Sequence, residues 1–213
     1  MASALAQANN GIAPRMVWYG DAEIGTPDLI VLPGGFSYGD YLRCGAMAAH
    51  APAMKEVIRL ANEDTAVFGV CNGFQTLIET GLLPGALLRN ESLNFVCRQV
   101  TLEHIPNNSR LMASLPQDFA MTVPVAHGEG NYFASEEILE ELEQENRIIF
   151  RYADGDNPNG SIQNIAGISN RRGNVLGMMP HPENATAAHQ GNQSAAPFFE
   201  ALIGALQKVP RAA

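Results

Sequence analysis

The amino-acid sequence predicts an α/β fold: a mostly parallel central sheet flanked by helices, with an antiparallel layer added. Three observations carry this expectation. The apolar run Asp28-Leu29-Ile30-Val31-Leu32 stops at Pro33-Gly34-Gly35 and reads as a buried parallel strand closed by a turn. A second apolar run, Ala66-Val67-Phe68-Gly69-Val70, leads directly into Cys71 and a helical pattern over Asn72–Thr80. From Leu93 to Val125 the rhythm changes. Phe95–Leu102 and Phe119–Val123 look like strands with no helix between them, as antiparallel neighbours do.

The remaining elements follow in order. Ala2–Asn9 suits a short helix, and Met16–Tyr19 is a brief apolar run. Arg43–Asn62 is helical in pattern, with Pro52 marking a break. Ser135 can cap an acidic helix running to Asn146, whose Ile138, Leu139 and Leu142 form one apolar stripe. Arg147–Tyr152, Asn164–Ser169 and Val175–Met179 are strand candidates, Asp154–Gly160 has loop composition, and Pro197–Leu206 reads as a closing helix.

Composition narrows the function classes. With 213 residues, 46% apolar and 16% charged, the chain can bury a substantial core, and with no linker in view residues 1–213 read as one domain. A net charge of −9 speaks against broad contact with nucleic acid or an anionic membrane. No apolar run approaches the roughly 18–20 residues of a membrane span. The N-terminus has neither the basic nor the apolar region of a signal peptide. Cys44, Cys71 and Cys97 are odd in number and lack CxxC spacing, which points to a reducing, cytoplasmic compartment rather than to disulfides or zinc.

Gly69-Val70-Cys71-Asn72-Gly73 has the form of a nucleophile elbow, a glycine on each side of a nucleophile between strand and helix. It would hold Cys71 at a helix N-terminus, where free N–H groups and the helix dipole favour a thiolate. Met179-Pro180-His181-Pro182-Glu183 alone reads as a surface turn. Paired with the elbow, it supplies a base and an orienting carboxylate, because an extended backbone before proline turns His181 and Glu183 to one side. Pro33-Gly34-Gly35-Phe36, at a strand's C-terminal end, is either a plain turn or a loop whose N–H groups face an oxyanion. His127-Gly128-Glu129-Gly130-Asn131-Tyr132 is either a substrate-facing loop or an ordinary turn. Cys44 and Cys97 are assigned to packing, and His50, His104 and His189 to structural or exposed positions.

Several of these stretches closely resemble one family. They are Val31–Ala46 (with Gly34-Gly35-Phe36-Ser37-Tyr38-Gly39-Asp40 at its centre), Gly69–Gln75, Gly177–Asn184, Ala126–Phe133 and Asn157–Ser161. The family is the glutaminase subunit of bacterial multi-subunit phosphoribosylformylglycinamidine synthase, within the class I triad glutamine amidotransferases. The resemblance implies Cys71 as nucleophile, His181 as general base and acid, and Glu183 as orienting carboxylate. It also implies an oxyanion hole from the backbone near Gly35 and Asn72, and substrate contacts from Gly34, Gln75 and His127. L-glutamine would be hydrolysed and its ammonia passed to a large synthetase subunit, joined by a small accessory subunit. ATP and magnesium would belong to that synthetase, which makes formylglycinamidine ribonucleotide in purine biosynthesis, and this chain would need no cofactor or metal of its own.

The resemblance departs at the N-terminus. Family members begin with a buried strand and a loop like Phe-Pro-Gly-Ser-Asn-Cys-Asp, whereas Met1-Ala2-Ser3-Ala4-Leu5 is similar to the interior of the helix that follows. The sheet is therefore expected to lack its first strand, with Met1 internal to a longer natural chain or the short form impaired. Two other readings compete: another triad amidotransferase or cysteine hydrolase, and an inactive subunit that only binds its partner. The Gly34–Ala46 run speaks against the first, and glutaminase activity with the partner present separates the second.

Overall fold

The computed structural model describes residues 1–40 and 43–207; Tyr41 and Leu42 of the Gly34–Ala46 run lie outside the described residues. In chain order the elements are α1 (Ala2–Ala8), β1 (Leu29–Leu32), α2 (Pro52–Asn62), β2 (Ala66–Val70), α3 (Asn72–Glu79), β3 (Ala86–Leu88), β4 (Val96–His104) and β5 (Ala120–His127). They continue with β6 (Asn131–Phe133), α4 (Glu136–Gln144), β7 (Ile148–Tyr152), β8 (Ile165–Ser169), β9 (Val175–Met178) and α5 (Ala196–Leu206). Pro52 opens α2 at its first turn, where its missing N–H has no helical partner to lose. Ser135 caps α4 by accepting from the Ile138 N–H at 3.4 Å. None of the described helices is long and apolar enough to cross a membrane.

The main sheet has the order β1-β2-β9-β8-β7-β4-β5. β1, β2 and β9 are parallel, and each later step is antiparallel. The hairpin between β8 and β9 joins the two regions into one sheet. β3 and β6 pair separately as a small antiparallel sheet, too short to be heard in the hydrophobic rhythm of the sequence. All five residues of β2 are buried, as are all four of β9, so both read as continuous apolar runs. Phe68 on β2 packs on Phe198 and Phe199 of α5, and Phe150 of β7 packs on Phe198.

On its side away from β2, β1 has no strand among the described residues. That edge faces a cavity of about 1080 Å³, lined among others by Leu5, Val17, Ile30, Met54, Val57 and Leu206. Met16–Tyr19 forms no strand, and Met16 and Trp18 are exposed.

Close packing on the sheet leaves no room for a side chain at Gly177 of β9. A Cβ there would meet the buried Phe74 ring at 2.2 Å. Gly204 of α5 faces open space. Gly177→Ala is therefore expected to lower stability by about 1–3 kcal/mol. Gly204→Ala should raise it by about 0.5–1 kcal/mol, by removing a glycine from a helix interior. Denaturant unfolding of the two variants checks both signs.

Candidate active site

Three adjacent parallel strands deliver the candidate residues to one edge of the sheet, the carboxyl edge at which ligands bind in open α/β sheets. β1 runs into Gly34 and Gly35, β2 into Cys71, and β9 through Met179 into His181. Register fixes their neighbourhood, since Leu32 lies opposite Gly69 and Val70 opposite Met178. Cys71 N–H donates to the Met178 carbonyl at 2.9 Å, and His181 N–H to the Pro124 carbonyl at 2.9 Å.

The elbow has the tight geometry expected of it. Cys71 has φ 50°, ψ −108°, a left-handed conformation costly for any residue with a side chain, and α3 starts immediately after it. The turn closes only because Gly73 lies on β1: a Cβ there would sit 2.0 Å from the Leu32 carbonyl oxygen. At Gly69 a Cβ would come within 2.9 Å of the Gly73 carbonyl.

His181 and Glu183 meet, although not as an extended segment. His181 has φ −104°, ψ 84°, and Pro182–Asn184 forms a 3-10 turn. The turn, rather than strand alternation, brings the Glu183 carboxylate to His181 Nδ1 at 2.9 Å. Glu183 is buried, which shields the pair from solvent. His181 Nε2 is also buried. Burial pulls the imidazole's proton affinity down, but hydrogen bonding and charge from Cys71 and Glu183 together outweigh it and push His181 up to about 10. Gly34 lets these side chains approach the loop: a Cβ on it would lie 2.7 Å from the His181 ring and 3.5 Å from Cys71 Cβ. The Cys71 thiol donates a long hydrogen bond to the Ala126 carbonyl at 3.9 Å.

Beside Cys71 lies a cavity of about 300 Å³, lined by Gly35, Cys44, Gln75, Arg89, Phe95 and Glu129 among others. Of the residues expected at the site, Cys71, Gly35, Gln75 and His127 reach this cavity. Gly34 lies behind it against His181, and Asn72 is buried at the helix start. The Asn72 side chain accepts from Ser37 and donates to Gln75 Oε1 at 2.9 Å. Gln75 donates onward to the Glu129 carbonyl at 2.7 Å, tying the Gly128–Gly130 loop to the first turn of α3.

The His127 ring is turned into the protein. Its Nδ1 lies 3.1 Å from Asn90 Oδ1 and its Nε2 3.4 Å from Asn159 Nδ2. Burial, then the neighbouring charge of His181, push it down to about 4 and keep it neutral. Arg89, Asn90 and Asn159 escape sequence reasoning, because they are positioned by the small β3–β6 sheet and the Asn157–Ser161 loop. Cys44, assigned to packing, lines the cavity instead. Its neighbour Gly45 (φ 81°) lies so close to α3 that a Cβ would approach Thr76 N to 2.7 Å. Cys97, also assigned to packing, is exposed, since Cys97–Gln99 lie on a stretch of β4 with no covering layer. His104 is buried against the Pro116 carbonyl, and His189 is exposed.

Residues 1–203 match the family described as CobB/CobQ-like glutamine amidotransferase domain. The phosphoribosylformylglycinamidine synthase subunit PurQ of Mesorhizobium japonicum is 53% identical over 195 residues, which is 92% of this chain and 88% of that protein. The PurQ subunit of Brucella abortus is 56% identical over 194 residues, covering 90% of this chain and 87% of the relative. A chain in the structure of PurLQS from Thermotoga maritima superposes with a TM-score of 0.84 at 37% identity, covering 96% of this chain and 92% of that one. With this match along its length, the nucleophile elbow and the paired histidine and glutamate, the chain belongs to the CobB/CobQ-like glutamine amidotransferase family, among the PurQ subunits of phosphoribosylformylglycinamidine synthase.

Proposed function

We propose that Cys71, His181 and Glu183 hydrolyse L-glutamine in this chain. It is the glutaminase subunit of phosphoribosylformylglycinamidine synthase, an enzyme of purine biosynthesis. The observation that carries the catalytic assignment is the His181–Glu183 pair beside a cysteine in a strained elbow. Glu183 engages Nδ1 and leaves Nε2 as the ring nitrogen for proton transfer. The Cys71 sulfur attacks the side-chain carbonyl carbon of glutamine, whose oxygen takes the negative charge. Backbone N–H groups at Gly35 and Asn72 hold that oxygen. The imidazolium of His181 gives its proton to the leaving nitrogen, ammonia departs, and a glutamyl thioester remains on Cys71. Water then attacks the thioester with His181 as base, releasing glutamate and restoring the cysteine.

The chain is a subunit of a multi-subunit complex. We infer that its ammonia passes to a large ATP-dependent synthetase subunit, with a small accessory subunit completing the assembly. Residues 1–213 would act as one amidotransferase domain. Three cysteines with no disulfide among the described residues, one of them the proposed nucleophile, fit a reducing cytoplasm.

Cys71→Ala is expected to abolish glutamine-dependent synthesis in the reconstituted complex while ammonia-dependent synthesis survives. Continued use of glutamine by this variant would remove Cys71 as nucleophile.

Glu183 is one of the groups raising the proton affinity of His181, so Glu183→Gln should lower it from about 10 toward the ordinary histidine range. The imidazolium is then lost at lower pH. The alkaline limb of the kcat/KM profile for glutamine should move toward acid, and an unmoved limb contradicts the assignment.

The isolated chain should be a poor glutaminase, stimulated by the synthetase and acceptor substrate. Ammonia release measured with and without those partners tests this, and full activity of the lone chain would contradict it.

A further inference from the structure

Two backbone N–H groups, those of Gly35 and Asn72, are proposed above to hold the oxygen of the attacked amide. They come from distant stretches of the chain, Gly35 from the loop that leaves β1 and Asn72 from the start of α3. Stabilisation of this kind needs both donors aimed at one point, to within about 0.5 Å. Asn72 is held by the helix it opens and is buried beside Cys71. Gly35 is exposed, and a Cβ on it would meet nothing within 4 Å, so packing on that side does not hold its peptide.

The loop is fixed two residues further on. Ser37, half-buried, donates its hydroxyl to Asn72 Oδ1. The chain turns sharply there, through Tyr38 (φ 55°) and Gly39 (φ 71°), and Gly39 N–H donates to the Phe36 carbonyl at 3.1 Å. The acceptor is itself constrained. Asn72 Nδ2 donates to Gln75 Oε1 at 2.9 Å, and Gln75 Nε2 donates to the Glu129 carbonyl at 2.7 Å. Each amide accepts through its oxygen and donates through its nitrogen, so the three bonds run in one direction and leave the Asn72 oxygen facing Ser37. The far end of the same segment is also clasped to α3. Arg43 pairs with Glu79 at 2.6 Å, and Gly45 lies close against the Thr76 backbone.

We propose that Ser37 is a positioning residue whose hydroxyl, acting through Asn72, sets the Gly35 N–H beside the Asn72 N–H so that both reach the oxygen as its charge develops; this rests on the glutaminase reading above. The carbonyl oxygen of bound glutamine is only partly charged, whereas that of the tetrahedral intermediate carries a full negative charge. A donor shifted out of line therefore costs more in the transition state than in the bound substrate. Loss of the Ser37 hydroxyl should fall on kcat rather than on KM. It should also spare any reaction of Cys71 that builds no oxyanion. Alkylation by iodoacetamide is such a reaction, since the sulfur attacks a saturated carbon and iodide leaves.

The synthetase complex is reconstituted with Ser37→Ala or Ser37→Thr in this chain. Ser37→Ala should lower kcat for L-glutamine by about 10- to 100-fold, with KM within about twofold of wild type. Ser37→Thr keeps a hydroxyl and should stay within about threefold of the wild-type kcat. Calorimetry should show unchanged L-glutamine binding when Ser37→Ala is added to the Cys71→Ala complex. Alkylation of Cys71 by iodoacetamide, followed by peptide mass, should keep its wild-type rate in Ser37→Ala. A disordered elbow would instead slow that alkylation and weaken binding along with turnover. An unchanged kcat, a loss carried by KM and binding, equally slowed alkylation, or a Ser37→Thr variant as poor as Ser37→Ala would each overturn the proposal. A wild-type complex that binds glutamine but releases no ammonia would overturn the glutaminase reading, and Ser37 would lose its role with it.

Discussion

The site depends on one close backbone contact, that of Gly73 against the Leu32 carbonyl at the end of β1. It lets α3 start directly from β2 and forces Cys71 into φ 50°. A residue in this region stores on the order of 1–3 kcal/mol, which the surrounding structure must supply. Here the surroundings are the fully buried strands β2 and β9, on which α3 packs, with the phenylalanines of α5 against Phe68 of β2. Strain at Cys71 and apolar burial beneath it are therefore parts of one arrangement. Gly34 and Gly35 belong to it as well, since they follow the same strand that Gly73 touches.

Electrostatics then separates two histidines a short distance apart. Both are largely buried, which opposes charge in each. His181 has the Cys71 sulfur and the Glu183 carboxylate as neighbours and is pushed up to about 10. His127 has the amides of Asn90 and Asn159 and the positive charge of His181, and is pushed down to about 4. Opposite displacement of neighbouring titratable groups marks a division of labour. The charged ring is the one beside Cys71 and Glu183, and the neutral ring braces the loop carrying Glu129.

Much of this was legible in the sequence because it rests on local rules. The strands β1, β2 and β9 are apolar runs, the elbow is a five-residue pattern, and Ser135 announces α4. What was not legible depends on contacts distant in the chain. Asn90 reaches across to the His127 carbonyl and ring and to Gly130 N–H, and Asn159 to the Gly130 carbonyl and the same ring, pairings that no periodicity reveals. The small β3–β6 sheet that sets Arg89 against the Glu129 loop is only three residues long on each side. The contact of His181 with Glu183 was expected, but for an extended backbone; a 3-10 turn provides it. Cys97 shows the reverse problem, since its apolar strand context did not reveal that nothing covers that part of β4.

The glycines at the elbow also bear on how this protein can change over generations. Any nucleotide substitution that alters the amino acid encoded by a glycine codon, and leaves the frame open, adds at least a Cβ. At Gly73 that atom would collide with a carbonyl oxygen, and at Gly69 with the elbow's own backbone, neither of which can turn aside like a flexible side chain. Neutral drift is therefore closed at these positions, whatever the polarity or size of the newcomer. It remains open at positions such as Gly204, where an added Cβ meets nothing within 4 Å. Less crowded positions can thus vary while the backbone geometry of the elbow is inherited unchanged.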